Sequence, residues 1–206
     1  GYVIDIDGAN ANNIIIDGFT IQNPTQATTV DSSLILIQSS AMNNNITIRN
    51  NIIQDPGVRT VNRSWGAYGI NGSKVTNLVV EQNYFKDILC DEATHGDSWN
   101  TTGAIWLWGD LYNIIVRDNK IENASSYGIG ISYGVTDAIF EGNEITGIGT
   151  PSSAQFPAAI MVRSTDSGAS SGIEVLNNKI HANDGTEATA GIDIAGLANT
   201  EISDIT

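Results

Sequence analysis

Apolar and polar residues alternate over short runs, and the runs recur along the chain. The string from Asn45, NITIRNNIIQD, returns as NLVVEQNYFKD from Asn77 and NIIVRDNKIEN from Asn113. It returns again as DAIFEGNEITG from Asp137 and GIEVLNNKIHA from Gly172, and an earlier copy, NIIIDGFTIQN, starts at Asn13. An apolar period of two is that of a half-buried β-strand. In each copy two residues point inward before a bend, as Ile46 and Ile48 do, and another, such as Ile53, points inward after it. The copies start 32, 32, 36, 24 and 35 residues apart. Such uneven spacing predicts a fixed cross-section with connections of varying length.

The same residue stands at the bend of five copies: Asn51, Asn83, Asn119, Asn143 and Asn178. Parallel strands lie about 4.8 Å apart, so each amide is expected to donate to one neighbour and accept from the other. Asn also tolerates the left-handed backbone expected at such a bend. The first copy has Phe19 there, which reads as a less regular or terminal coil. A third strand is predicted ahead of each copy, at 34–37, 68–71, 105–108, 129–132, 160–163 and 192–195, with 3–7 supplying the first. The prediction is an all-β fold, a three-sheet parallel β-helix (solenoid) of about six to seven coils with an Asn ladder. Its expected hand is right, the hand of parallel crossovers. A helical solenoid is excluded by the period and by the dominance of β-branched residues.

These N-I-x-I-x-x-N-x-I units resemble the right-handed parallel β-helix repeats of the pectate-lyase-like superfamily, and the resemblance runs over essentially the whole chain. It implies the fold. For function it spans lyases, glycoside hydrolases, epimerases, phage tailspikes and non-catalytic surface proteins. The NTD, DD and GHG strings of polygalacturonase-like enzymes and the DPHE signature of alginate epimerases are absent. No catalytic residue of the superfamily therefore transfers to this chain.

Residues 1–206 read as one domain. Both ends fall inside strand-like patterns, Gly1–Ile6 and Glu201–Thr206, so the expectation is a piece of a longer chain. The net charge of -14, from 23 acidic and 9 basic residues, argues against nucleic acid and anionic membranes as partners. It suits divalent cations or neutral polymers. No apolar run is long enough to span a bilayer. Cys90 is the only cysteine, so neither an internal disulfide nor a cysteine metal box can form. Few Lys with abundant Asn, Thr, Ser and Gly predict an extracellular or cell-surface protein. The stacked coils also predict possible end-to-end association.

Two long connections, 55–66 and 87–103, are expected to wall one side of the third sheet. Stacking the strands by pattern sets Trp106 between glycines 69 and 130, and Trp108 between Asn71 and Ser132, next to Tyr133. A tryptophan beside small residues offers a flat face to a sugar ring, with polar neighbours to bind hydroxyls. The competing expectation is that a long connection buries both indoles. The groove candidates for binding polysaccharide or glycan are therefore Trp106, Trp108, Asn71, Ser132, Tyr133 and Arg163. The connections add Asp91, Glu92, His95, Asp97 and Arg63 as candidate catalytic groups. Paired carboxylates cleave glycosidic bonds by acid/base catalysis. Oxygen ligands, with Ca2+ as the possible cofactor, and an Arg base would instead serve β-elimination from a uronate. The leading expectation is a polysaccharide hydrolase or lyase. The alternatives are a non-catalytic surface or adhesive module and a structural spacer.

Overall fold

The computed structural model describes residues 2–8, 11–22, 32–38, 41–56, 67–89, 102–149, 157–164, 170–181 and 190–196. The first coil is β1 (Tyr2–Ile6), β2 (Asn12–Asp17) and β3 (Thr20–Gln22). The second is β4 (Ser32–Ile37), β5 (Asn43–Arg49) and β6 (Ile52–Gln54). In the next two coils the first pair of strands fuses through the corner, giving β7 (Ala67–Glu81) with β8 (Tyr84–Ile88), then β9 (Gly103–Arg117) with β10 (Lys120–Ala124). They separate again as β11 (Tyr127–Ser132), β12 (Val135–Glu141) and β13 (Glu144–Ile148). A sixth coil follows as β14 (Ala158–Ser164), β15 (Ser171–Leu176) and β16 (Lys179–Ile180), and β17 (Ala190–Gly196) begins a seventh.

All strand pairs are parallel and follow coil order. Three rows of strands thus enclose the core, as the repeat predicts. Because β7 and β9 continue through the corner, rows one and two belong to one 11-stranded sheet, and row three is a separate 6-stranded sheet. The expected three sheets are three rows in two hydrogen-bonded sheets.

The core is a set of columns running along the stack. Row one places isoleucine at the same level in every coil: Ile4, Ile35, Ile70, Ile105, Ile129, Ile160 and Ile192. Row three contributes Ile21, Ile53, Phe85, Ile121, Ile145 and Ile180. Each fully buried side chain of this size contributes about 1.5–3 kcal/mol relative to exposure.

Alternation fails at one level of row one. Leu34 and Ile35 both face the core, as do Ala104 with Ile105 and Ala159 with Ile160. The equivalent residue is glycine at 69 and 128, where an added Cβ would lie 2.9 Å from Phe85 and 2.8 Å from Ile145. The strand bends there, so residues before the bend face outward where simple alternation puts them inside. Tyr68 and Tyr127 are such residues.

The ladder of Asn51, Asn83, Asn119, Asn143 and Asn178 is closely satisfied, the first four buried and Asn178 half-buried. Each Oδ1 from Asn83 onward accepts from the main-chain N–H and the amide of the preceding Asn, at 2.9–3.1 Å. Each amide also donates back to a main-chain carbonyl, as Asn119 does to Val80 at 2.9 Å. Phe19 lacks an amide, yet its N–H still donates to Asn51 Oδ1. The left-handed backbone lies one residue earlier than expected, at Asn50, Gln82, Asp118, Gly142 and Asn177. A second, exposed amide ladder at Asn13, Asn45, Asn77 and Asn113 marks another left-handed corner, with amides donating toward the preceding coil.

Candidate functional site

The outward face of row one carries the chain's clustered aromatics. In register, its columns are Asn71, Trp106, Gly130, Met161 and Asp193, and then Ser73, Trp108, Ser132, Arg163 and Ala195. The neighbours deduced from pattern need correcting on the early side. Asn71, not Gly69, lies beside Trp106, and Ser73, not Asn71, lies beside Trp108. The displacement is a two-residue offset of the third coil, which pairs Ile70 with Ile105, and the bend besides turns Gly69 into the core.

Trp106 is inside a three-ring stack. Tyr68 covers one face, with centroids 6.4 Å apart and planes at 18°, and Tyr127 the other, at 5.4 Å and 21°. Gly103 lies between the two tyrosines in register, where an added Cβ would stand 3.1 Å from the Tyr127 side chain. On the Gly130 side, a Cβ would stand 2.7 Å from the indole. Only 9% of Trp106 is exposed, and the stack joins Ala158 and Met161 in a satellite core outside the helix wall. Neither indole face is open to a ligand.

Trp108 is different. It is half-buried, sits between the small side chains of Ser73 and Ser132, and donates from Nε1 to Asn71 Oδ1 at 3.0 Å. Tyr133 leans on it with centroids 6.0 Å apart and planes at 59°. Tyr133 has φ 28, a left-handed backbone rare for an aromatic residue. Its carbonyl accepts from Gly109 N–H, and its N–H donates to Arg163 O, both at 3.0 Å, which holds the corner. Partial burial raises the Tyr133 phenol.

Next in the stack, Arg163 Nη2 donates to Asp193 Oδ2 at 3.1 Å. Burial pushes the Tyr127 phenol up to about 12, with Arg163 opposing and Asp193 adding to the rise. The structure therefore brings together Trp108, Tyr133, Asn71, Ser132 and the Arg163–Asp193 pair. The candidates Arg63, Asp91, Glu92, His95 and Asp97 lie outside the described residues. Among the described residues no three His, Cys, Asp or Glu side chains gather as metal ligands.

The aromatic stack was visible as a motif. Tyr68-Gly69-Ile70 returns as Tyr127-Gly128-Ile129, with Gly103-Ala104-Ile105 between them, an aromatic–gap–aromatic order down one column.

The family model for the right handed beta helix region matches residues 43–206. The chain belongs to the right-handed β-helix family. The hand expected from parallel crossovers is thus the family's, and the likeness to pectate-lyase-like repeats is consistent with it. No curated protein and no solved structure matches this β-helix. Membership establishes the scaffold, and functions on a shared scaffold are carried by individual sites.

Proposed function

We propose that this β-helix is an extracellular polysaccharide-binding protein that lays a glycan against the outward face of row one, with Trp108 as the platform. The observation that carries the reading is the fixed, half-exposed indole: Asn71 orients its edge at 3.0 Å and Tyr133 flanks it at 59°. A sugar ring presents an apolar CH face and a rim of hydroxyls. Trp108 and Tyr133 match the first, and Asn71 and Ser132 supply groups for the second. The non-glycine φ of Tyr133 places backbone strain where the aromatic pair is assembled, as binding sites commonly do. The test is retention on immobilised polysaccharides. Trp108→Ala is expected to weaken retention by about tenfold, the equivalent of about 1.4 kcal/mol, while leaving the melting temperature within a few degrees. Equal retention by variant and parent would reject the platform.

Cleavage of the bound chain is the further reading, favoured by connectivity. The segment carrying Asp91, Glu92, His95 and Asp97 leaves β8 at Ile88 and enters β9 at Gly103, the strand that bears Trp108. New reducing ends, measured with and without Ca2+ and abolished in Asp97→Asn, would support an enzyme. Retention without release from any polymer would leave a binding module.

A further inference from the structure

We infer that the glycan is uncharged, an inference that rests on the binding reading above and names its substrate class. The argument is the placement of charge around Trp108. Among the described cations, Arg49 and Arg117 belong to row two, on strands β5 and β9. There they alternate in register with Asp17, Glu81 and Glu141, and pair with Asp17 at 2.9 Å and Glu81 at 2.7 Å. Lys86, Lys120 and Lys179 belong to row three. That leaves Arg163 on the row-one face and Lys74 at its corner. Arg163 is already held by Asp193 at 3.1 Å. Asp5 heads the column that Asp193 ends, and Asp110 is exposed two residues beyond Trp108.

A polyuronate carries one carboxylate per sugar. Laid on this face it would meet Asp110 and the Asp193 side of an occupied ion pair, with Lys74 at the corner the one described cation to offset them, within the field of a chain whose net charge is -14. A neutral chain meets none of that repulsion, and what the site offers it is an indole face, a phenol, an amide and a hydroxyl. The consequence for cleavage is direct. A neutral sugar has no carboxylate to acidify the neighbouring C–H, so bond breaking would add water across the glycosidic link rather than eliminate.

The test is affinity electrophoresis of the whole chain at low ionic strength through mixed-linkage β-glucan, galactomannan and starch, and through polygalacturonate and alginate, each with Ca2+ and with chelator. The expected result is Trp108-dependent retardation by at least one neutral polymer and none by the uronates. Asp193→Asn, which removes the carboxylate facing Arg163, is expected to bring polygalacturonate retardation that salt abolishes. Trp108-dependent retardation by a uronate in the unaltered protein, with or without Ca2+, would overturn the neutral assignment and leave the glycan reading intact. Retardation by no polymer of either kind would overturn both.

Discussion

Asn119 shows why a single amide type can recur at the inner bend of coil after coil. Its Oδ1 takes two donors from Asn83, and its amide serves both Val80 O and Asn143 Oδ1. Deleting the side chain strands the buried N–H of Asn83 and one of its two amide hydrogens and removes a donor from Val80 O, while Asn143 Oδ1 keeps the main-chain N–H of residue 119. An unsatisfied buried group costs about 1–3 kcal/mol, so Asn119→Ala is expected to lose about 3 kcal/mol in denaturant unfolding. Asn43 is the opposite case. It is fully buried, and neither amide atom has a hydrogen-bond partner. It stands in register with Val75, and through it with Leu111 and Val135, all core residues. Asn43→Val removes two orphaned groups and continues an apolar column, so it is expected to stabilise by about 1–2 kcal/mol. A loss of stability in that variant would mean that the amide is satisfied in solution.

At the scale of the strand, the aromatic stack ties β7, β9 and β11 together outside the core, and its chemistry is testable through Tyr127. The folded phenol is raised to about 12 from an ordinary value of 10.0, chiefly because burial disfavours the phenolate. A raised group contributes stability that is fully present below pH 10 and is lost as pH rises through about 12. Such a shift corresponds to about 2–3 kcal/mol. Tyr127→Phe should therefore show a smaller fall in melting temperature between these pH values than the parent, and parallel curves would exclude the phenol as the cause. The same strands mark how far a sequence can be read. Strand identity, the Asn ladder and the coil number were legible because period-two patterns and a repeated Asn are local signals. The register of row one was not, since the third coil pairs two residues later than the pattern suggests, Ile70 with Ile105, and the bend at Gly69–Ile70 turns Tyr68 outward. Tyr68 is apolar enough to pass for core by alternation alone, and its stacking on Trp106 across a neighbouring strand shows otherwise. The half of the site built from Trp108, Tyr133, Ser132 and Arg163 survives that slip because β9, β11 and β14 pair in the expected register. Asn71 also survives, but as a diagonal partner of Trp108 instead of the adjacent one.

For the molecule as a whole, the question is what the two ends of the stack do in solution. The first coil exposes Tyr2, Val3, Ile15 and Phe19, and the last described strand exposes Ile192 and Ile194 although both occupy inward columns. A second copy stacked head to tail would bring Ile192 against Ile4 and Ile194 against Ile6, continuing the core across the junction. Charge opposes it. Asp193 would meet Asp5, and each copy brings a charge of -14. Screening shrinks from a range of about 30 Å at 0.01 M salt to about 3 Å at 1 M, whereas burial of isoleucine is indifferent to it. Sedimentation velocity is thus expected to show a monomer at low salt and concentration-dependent, head-to-tail association at 1 M salt. A monomer under every condition would mean that apolar burial at the ends does not outweigh the charge.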